Sequence, residues 1–286
     1  MQTVTDIEEF STLQNNRVIG LPKEMISSKF EFNGENNIVF FDENVMLSQT
    51  TIRFLGNNNL IFISSSAPYK LKIKLDAYNN STFYIGKKCN TVKPIHIILS
   101  EGKNVIIGNE CLFSRNIWFR NADPHLIYDG ETKQRINESK SIYLGDHVWI
   151  GQDVLVAKGT QIGSGSIIGA KAVTTSRAVE SNCSAGGVPC KVLKRNIFWL
   201  KDSVHGFLDE DTQNSMVYDN EKYLYHLDQY KVDFGTIETE LCNAESAEEK
   251  TEVLKKYIFE FKHKNRFYIA PAEKPKKKKS FFKKRK

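Results

Sequence analysis

Of the six histidines and five cysteines in this chain, one histidine stands in a setting that suggests chemistry. His125 lies in "NADPHLIYDGETKQRINESKS", residues 121–141, with Asn121, Asp123, Tyr128, Arg135 and Asn137 close by. An imidazole takes and gives protons near neutral pH. Amide, carboxylate and guanidinium groups bind hydroxyls and anions. A solvated loop with an idle histidine would have the same composition, so the stretch alone decides nothing. The cysteines, at positions 89, 111, 183, 190 and 242, are odd in number and form no CxxC pair. They read as reduced thiols of a cytoplasmic protein, with Cys111 and Cys183 turned to the core.

The flanks of the loop show what must position these groups. After it, apolar residues recur every six positions: Leu144, Ile150, Val156, Ile162, Ile168. Before it, Ile107, Phe113 and Phe119 keep the same beat. The later hexads, "LGDHVW", "IGQDVL", "VAKGTQ", "IGSGSI" and "IGAKAV", begin with an aliphatic residue, then Gly or Ala. A helix needs apolar spacings of three and four, so this period predicts a β-solenoid. The aliphatic residue points inward and the glycine is expected to ease the turn. "NNIVF", "NNLIF" and "NNSTFYIG", starting at Asn36, Asn58 and Asn79, read as earlier, looser coils with Asn in the corners. A run of β-hairpins is the competing reading. The coil is expected from about Phe30 to Ala185, within a domain spanning 30–195. On that frame His147 falls outward and is expected to be solvent-exposed. His96, in "KPIHIILS", also falls outside the coil. About twenty residues without the beat, as in 121–141, more often serve a function than not.

Residues 1–29 read as an N-terminal segment and 196–270 as a mostly helical extension. "SAEEKTEVLKKYIFEFKHK" has a capping-box pattern, Ser246 with Glu249. Val253, Leu254, Tyr257, Ile258 and Phe261 then share one helical face. Residues 196–234 have no clear period and are expected as short helices against the solenoid end. The net charge of +6 belongs to the last thirteen residues, "KPKKKKSFFKKRK", which hold nine Lys or Arg and no acid. Without them 31 basic residues face 34 acidic ones, which argues against a nucleic-acid-binding body. Residues 271–286 read as a disordered polybasic tail. Lys274–Lys286, with Phe281 and Phe282 between basic clusters, suits an anionic membrane surface; a solubilising or polymer-binding tail is the alternative. No run of 18 apolar residues and no secretory signal pattern occurs.

A long loop with His, then "HVWIG" (His147 to Gly151), then hexads, then "GGVPCKVLK" (Gly186 to Lys194) resembles the hexapeptide-repeat sugar O-acetyltransferases that use acetyl-coenzyme A. "RNADPHLIY", "RIN", "HVWIG" and "GGVPCKVLKRNIFW" are most similar to the capsule polysaccharide (polysialic acid) O-acetyltransferases of the meningococcal type. The resemblance covers roughly Ile107 to Trp199. It implies a left-handed parallel β-helix, three hexads per coil, and a homotrimer with sites at its interfaces. It makes His125 the general base toward a sugar hydroxyl, with Asp123 or a backbone carbonyl fixing its tautomer, and places Trp149 beside the reacting centre. Asn121, Asp123 and Arg135 would meet the polysaccharide acceptor. Gln152 and Ala170 would line the pantetheine arm, with Thr175, Arg177, Lys191 and Lys194 around the adenosine phosphates. "TTSRAVESNC" is one residue longer than in simpler sugar acetyltransferases, and Ser176 falls where they often have lysine, so Arg177 takes that role. No metal is expected: a solenoid zinc enzyme needs three histidines on neighbouring coils, and His125 and His147 offer two. The competing functions are N-acetylation of a nucleotide-linked amino sugar and a non-catalytic scaffold of capsule assembly. The protein is expected in the cytoplasm, at the inner face of the membrane.

Overall fold

The computed structural model describes residues 1–272, so the expectations for Lys274–Lys286 lie outside the described residues. The described residues wind into a parallel β-helix with three long sheets and a two-stranded one, Glu24–Ile26 beside Met46–Ser48. The first sheet runs from Lys29–Phe32 through Ile95–Leu99 and Trp118–Arg120 to Leu155–Ala157 and Val173–Thr174, with Gln2–Val4 added antiparallel at its start. The second runs from Arg17–Ile19 through Asn104–Ile107 and Ile142–Leu144 to Ala178–Val179. The third holds Leu112–Phe113, Trp149–Ile150, Ile167–Ile168 and Cys183–Gly186, and Lys191–Arg195 folds back antiparallel on its last strand.

The hexad beat is the winding itself. Leu144 pairs with Ile162 and Ile150 with Ile168, eighteen residues or three hexads on. Leu144, Ile150, Val156, Ile162 and Ile168 are all fully buried. The asparagine-headed segments are coils, not hairpins: Ile38, Leu60 and Thr82 stand in parallel register. Parallel winding begins earlier than expected, at Arg17–Ile19 rather than near Phe30.

The corner chemistry also differs from expectation. The residues with left-handed backbone are fourth in the hexads, at His147, Asp153, Gly159, Gly165 and Lys171, with φ between 54° and 77°. The second-place glycine is required for space. A Cβ on Gly108 would lie 2.5 Å from the Gly145 carbonyl of the next coil, and one on Gly145 would lie 2.7 Å from the Ser164 nitrogen. In the early coils Asn36, Asn58 and Asn80 take the left-handed position. Their neighbours Asn37 and Asn59 form a ladder: Asn59 Nδ2 donates to Asn37 Oδ1 at 2.9 Å. Such a ladder satisfies buried polar groups between stacked turns.

The second sheet is buried on both faces because the C-terminal extension covers it. Helices α1 (Asp209–Asn214), α2 (Phe234–Asn243) and α3 (Ala247–Leu254) follow the solenoid, and α3 runs on into a π-helical turn, Lys255–Phe259. Phe234, Ile237, Leu241, Leu254, Ile258 and Phe267 pack on Ile38, Leu60, Phe62, Tyr84, Ile106 and Tyr143. Ser246 caps α3 by accepting from Glu249 N, while the Glu249 carboxylate takes the Glu245 N–H. Two buried cations pin the cover. Lys250 donates to the Asn58 and Asn80 carbonyls at 3.0 and 2.9 Å, and Arg266 grips both Asp146 oxygens at 2.8 and 2.9 Å. Residues 196–234 are less helical than expected: beyond α1 they hold a 3-10 turn at Val204–Gly206. One of their contacts with the coil end is Asn182, whose amide makes both bonds to the Tyr225 backbone.

Candidate active site

The loop 121–141 leaves the edge between the first and second sheets, between Trp118–Arg120 and Ile142–Leu144. It has almost no regular structure but is anchored at several points. Asn137, 5 % exposed, sits at its centre. Its Nδ2 donates to the His125 carbonyl at 2.7 Å and its Oδ1 accepts the Ile127 N–H at 3.0 Å. Arg135 forms a two-pronged ion pair with Glu101 at 2.7 and 2.9 Å, and Ser139 Oγ donates to the same carboxylate. The Arg135 fork and the Ser139 hydroxyl hold the Glu101 carboxyl down at about 2. Lys158, from the next coil, donates to Asp123 at 2.6 Å and to the Asn137 carbonyl at 3.1 Å. The Lys158 ammonium, with help from the Asn137 amide, keeps Asp123 below the usual carboxylate range. The result presents His125 at the surface on a backbone fixed from both sides.

The arrangement commits Asn121, Asp123 and Arg135 to the loop's own contacts and overturns the expectation of a solvated His147. Asn121 is fully buried and spends its side chain on the Ser100 N–H and carbonyl, so it is not open to a substrate. Arg135 serves the loop through Glu101, and Asp123 serves it through Lys158 and Asn137 instead of orienting the His125 ring. His147 is 1 % exposed, not solvated. It lies between the rings of Trp199 and Tyr223, centroids 4.0 and 4.1 Å away. Its Nε2 bonds the Trp199 carbonyl at 2.9 Å and Trp199 Nε1 donates to the His147 carbonyl at 3.0 Å. Burial pushes the His147 imidazole down to about 4. His96 does face outward, stacked on Trp118 at 4.4 Å.

Trp149 is half-buried on the outer face of the third sheet, tilted against Trp199 with centroids 5.8 Å apart. Its Nε1 is buried without a partner among the described residues. A buried donor left open in this way fits an acceptor supplied by a ligand. Thr175 and Arg177 lie exposed on the same edge as the loop, two coils on; Ser176 Oγ between them donates to the Lys158 carbonyl at 3.0 Å. Gln152 and Ala170 stack on the opposite edge of the first sheet, where Lys171 N donates to the Gln152 carbonyl at 2.8 Å. Lys191 and Lys194 are exposed on the closing hairpin, opposite Gly186 and Ser184. One chain therefore does not bring the expected residues into one pocket. His125, Thr175 and Arg177 share one edge, Gln152 and Ala170 another, and Trp149 stands on a third face. Among the described residues no group of three or more His, Cys, Asp or Glu is placed to hold a metal ion.

Glu101, Ser139 and Lys158 were not singled out by the sequence reading. Glu101 had a signal: at the 22-residue spacing of the coils it follows Asn57 and Asn79, while Gly102 stands over Asn80. A carboxylate in an asparagine column marks a changed partner.

Residues 141–176 match the family model for the bacterial transferase hexapeptide (six repeats). The chain is 35% identical over 178 residues to a polysialic acid O-acetyltransferase of Neisseria meningitidis, covering 62% of this chain and 82% of that one. The chain belongs to the hexapeptide-repeat O-acetyltransferases. A polysialic acid O-acetyltransferase of Escherichia coli O1:K1 / APEC is 36% identical over 146 residues, 51% of this chain; there the chain spans 47% of the relative's length. The crystal structure of the polySia-specific acetyltransferase NeuO superposes with a TM-score of 0.62 at 31% identity, over 70% of this chain and 91% of that one. That of the polysialic acid O-acetyltransferase OatWY gives 0.58 at 26%, over 70% and 94%. Membership makes the protein an acyltransferase that moves acetyl groups to hydroxyls, and the solenoid is the frame of that family.

Proposed function

We propose that the protein transfers acetyl from acetyl-coenzyme A to a hydroxyl of an acidic capsular polysaccharide of the polysialic acid kind. The observation that carries this is the anchored loop, which presents the His125 imidazole at the surface in a chain whose relatives bear the names given above. His125 takes the proton of the attacking hydroxyl as its oxygen adds to the thioester carbonyl carbon. The tetrahedral intermediate then collapses, the carbon–sulfur bond breaks, and the imidazolium returns the proton to the leaving thiolate. A general base of this kind contributes about 10²–10⁴ in rate. The open Trp149 Nε1–H is a donor for the coenzyme or the acetyl group.

A homotrimer completes the site in this reading. Leu126, Ile127, Tyr128 and Ile136 on the loop are 48–63% exposed, an apolar surface that suits contact with a second copy. Such a contact brings one copy's His125 to another copy's Trp149, with coenzyme A in the groove between them. Gln152 and Ala170 then lie along the pantetheine, and Thr175, Arg177, Lys191 and Lys194 near the phosphates. The donor and the free thiols suit the cytoplasm. No helix among the described residues is long and apolar enough to cross a membrane, and the basic run Lys274–Lys286 is our candidate for a tether to its inner face.

The test is thiol release from acetyl-coenzyme A with a panel of capsular polysaccharides. Release with an acidic polymer supports the proposal. Release only with a nucleotide-linked amino sugar replaces it with N-acetylation, and no release with any acceptor favours the scaffold.

A further inference from the structure

A second binding feature lies away from the loop, where the extension folds over the edge between the second and third sheets. A depression of about 510 Å³ is lined by Lys87, Lys222, Lys262 and Lys264, with Tyr223, Tyr225 and Phe259 among its walls. That volume is in the range of small-ligand sites. The lysines lie over the rings: Lys87 Nζ is 4.8 Å from the Phe259 centroid, Lys222 4.8 Å from Tyr223 and Lys264 5.7 Å from Tyr225. Of the acids in the lining, Asp146 is already committed to Arg266, and Lys87 is paired with Asp42 at 3.5 Å, which leaves Glu110 against Lys222, Lys262 and Lys264. The rest of the body is slightly acidic, 31 basic against 34 acidic residues once the last thirteen are set aside, so this concentration of ammonium groups runs against the chain's balance. Those thirteen residues carry the same sign as the pocket and no acid, which rules them out as its complement.

Position adds to charge. Tyr223 of the pocket wall stacks on His147, His147 on Trp199, and Trp199 leans on Trp149. The pocket thus stands three ring contacts from the indole we place at the transfer centre. We infer that it is a saccharide-binding subsite that grips a carboxylate-bearing segment of the polymer acceptor, apart from the residue being acetylated. Aromatic walls face the pyranose rings and the ammonium groups face the carboxylates. This inference rests on the proposed polysaccharide acceptor. Its consequence is chain-length preference: a long acidic polymer reaches the pocket and the transfer centre together, and a short acceptor reaches one of them. Engaging two linked sites raises affinity by effective concentration.

The experiment uses the full-length protein and the Lys222→Ala/Lys262→Ala/Lys264→Ala variant. Binding of polysialic acid is measured first without acetyl-coenzyme A, at two salt concentrations, beside a neutral polysaccharide. The variant should bind the acidic polymer about tenfold more weakly, with a smaller salt dependence, from three exposed ion pairs. In the transfer assay its KM should rise for long polymer, with kcat and the KM values for a short sialyl oligomer and for acetyl-coenzyme A unchanged. Unchanged polymer binding and unchanged KM overturn the subsite. A wild-type protein that binds the polymer through these lysines yet releases no thiol refutes the acetyl-transfer reading and leaves the subsite standing. Substitution by Arg in place of Ala should restore binding, and a failure to do so with a folded protein also counts against the subsite.

Discussion

Replacing Asn137 by alanine should slow acetyl transfer without disturbing the solenoid. The side chain makes two bonds to loop backbone, donating to the His125 carbonyl at 2.7 Å and accepting the Ile127 N–H at 3.0 Å. Its further bonds, to Asp123 and Arg135, are longer at 3.3 and 3.2 Å, and both partners keep their ion pairs when it is removed. The two backbone bonds therefore dominate, each worth about 1 kcal/mol net in a largely buried setting. Together, about 2 kcal/mol, they bias the docked loop over the released one by about thirtyfold. The expected result is a fall in kcat of up to about thirtyfold, with the KM for acetyl-coenzyme A nearly unchanged, since none of the groups assigned to the coenzyme touches Asn137. The melting temperature should move little, because the core column under the loop is intact. Thiol release at saturating acceptor gives the rate, and circular dichroism gives the melt. The decisive comparison is the double variant. If Asn137 acts by placing His125, then Asn137→Ala has no further effect in a His125→Ala background. Undiminished turnover in the single variant, or an equal loss in both backgrounds, refutes the reasoning.

His125→Ala should lower transfer by about 10²–10⁴ while coenzyme A still binds, read by thiol release and by calorimetry. Lys191→Ala with Lys194→Ala should raise the KM for acetyl-coenzyme A more than that for the acceptor; the reverse split would move these lysines to the sugar. His147 titrates at about 4 in the fold against about 6.5 in the unfolded chain, so its contribution is whole above pH 6.5 and is lost as pH falls from 6.5 toward 4. The loss reaches about 3 kcal/mol at most, and the melting temperature of the wild type should fall more steeply through that window than that of His147→Asn, a residue that tolerates the left-handed corner. A chain ending at Ala272 should lose binding to anionic liposomes and keep turnover on a soluble acceptor; retained liposome binding would remove the tail as the tether.

The solenoid was legible because its physics repeats. One aliphatic residue must fill each turn of the core, so Leu144, Ile150, Val156, Ile162 and Ile168 announce themselves. The early start was missed although the sequence carries it: "NNRVI" at Asn15 has the same form as "NNIVF" and "NNLIF", and its strand is the first to wind. The glycine column was seen, but its cause was not. A left-handed turn and a close approach of coils both select glycine, and only the stacking of Gly108 under Gly145 separates them. His147 was misjudged because local pattern sets which way a side chain points and not what later covers it. Trp199 and Tyr223 come from a stretch with no period, and together they turn an outward corner into a buried one.

The loop answers a problem that the solenoid itself creates. Parallel coils place every outward side chain on one of three nearly flat faces or their edges, and a flat face cannot close around a thioester and a sugar. Extending a histidine from one edge solves this when the extension is rigid and a second surface stands opposite. Rigidity here comes from groups that the repeat already offered. Glu101 occupies a corner of the coil below the loop, Lys158 a corner of the coil above, and both turn their charge to the insert. In the trimer we propose the opposing surface comes from a second copy: Trp149 lies on a different face from the loop, with an unused buried N–H. A base on one face and a donor without its acceptor on another are complementary halves, which the homotrimer we propose would join across its interfaces. The same logic explains the heavy cover on the second sheet. α2, α3 and Phe267 seal that face, with Lys250 and Arg266 as buried pins, so the second sheet is closed to a partner while the apolar side chains of the loop stay exposed.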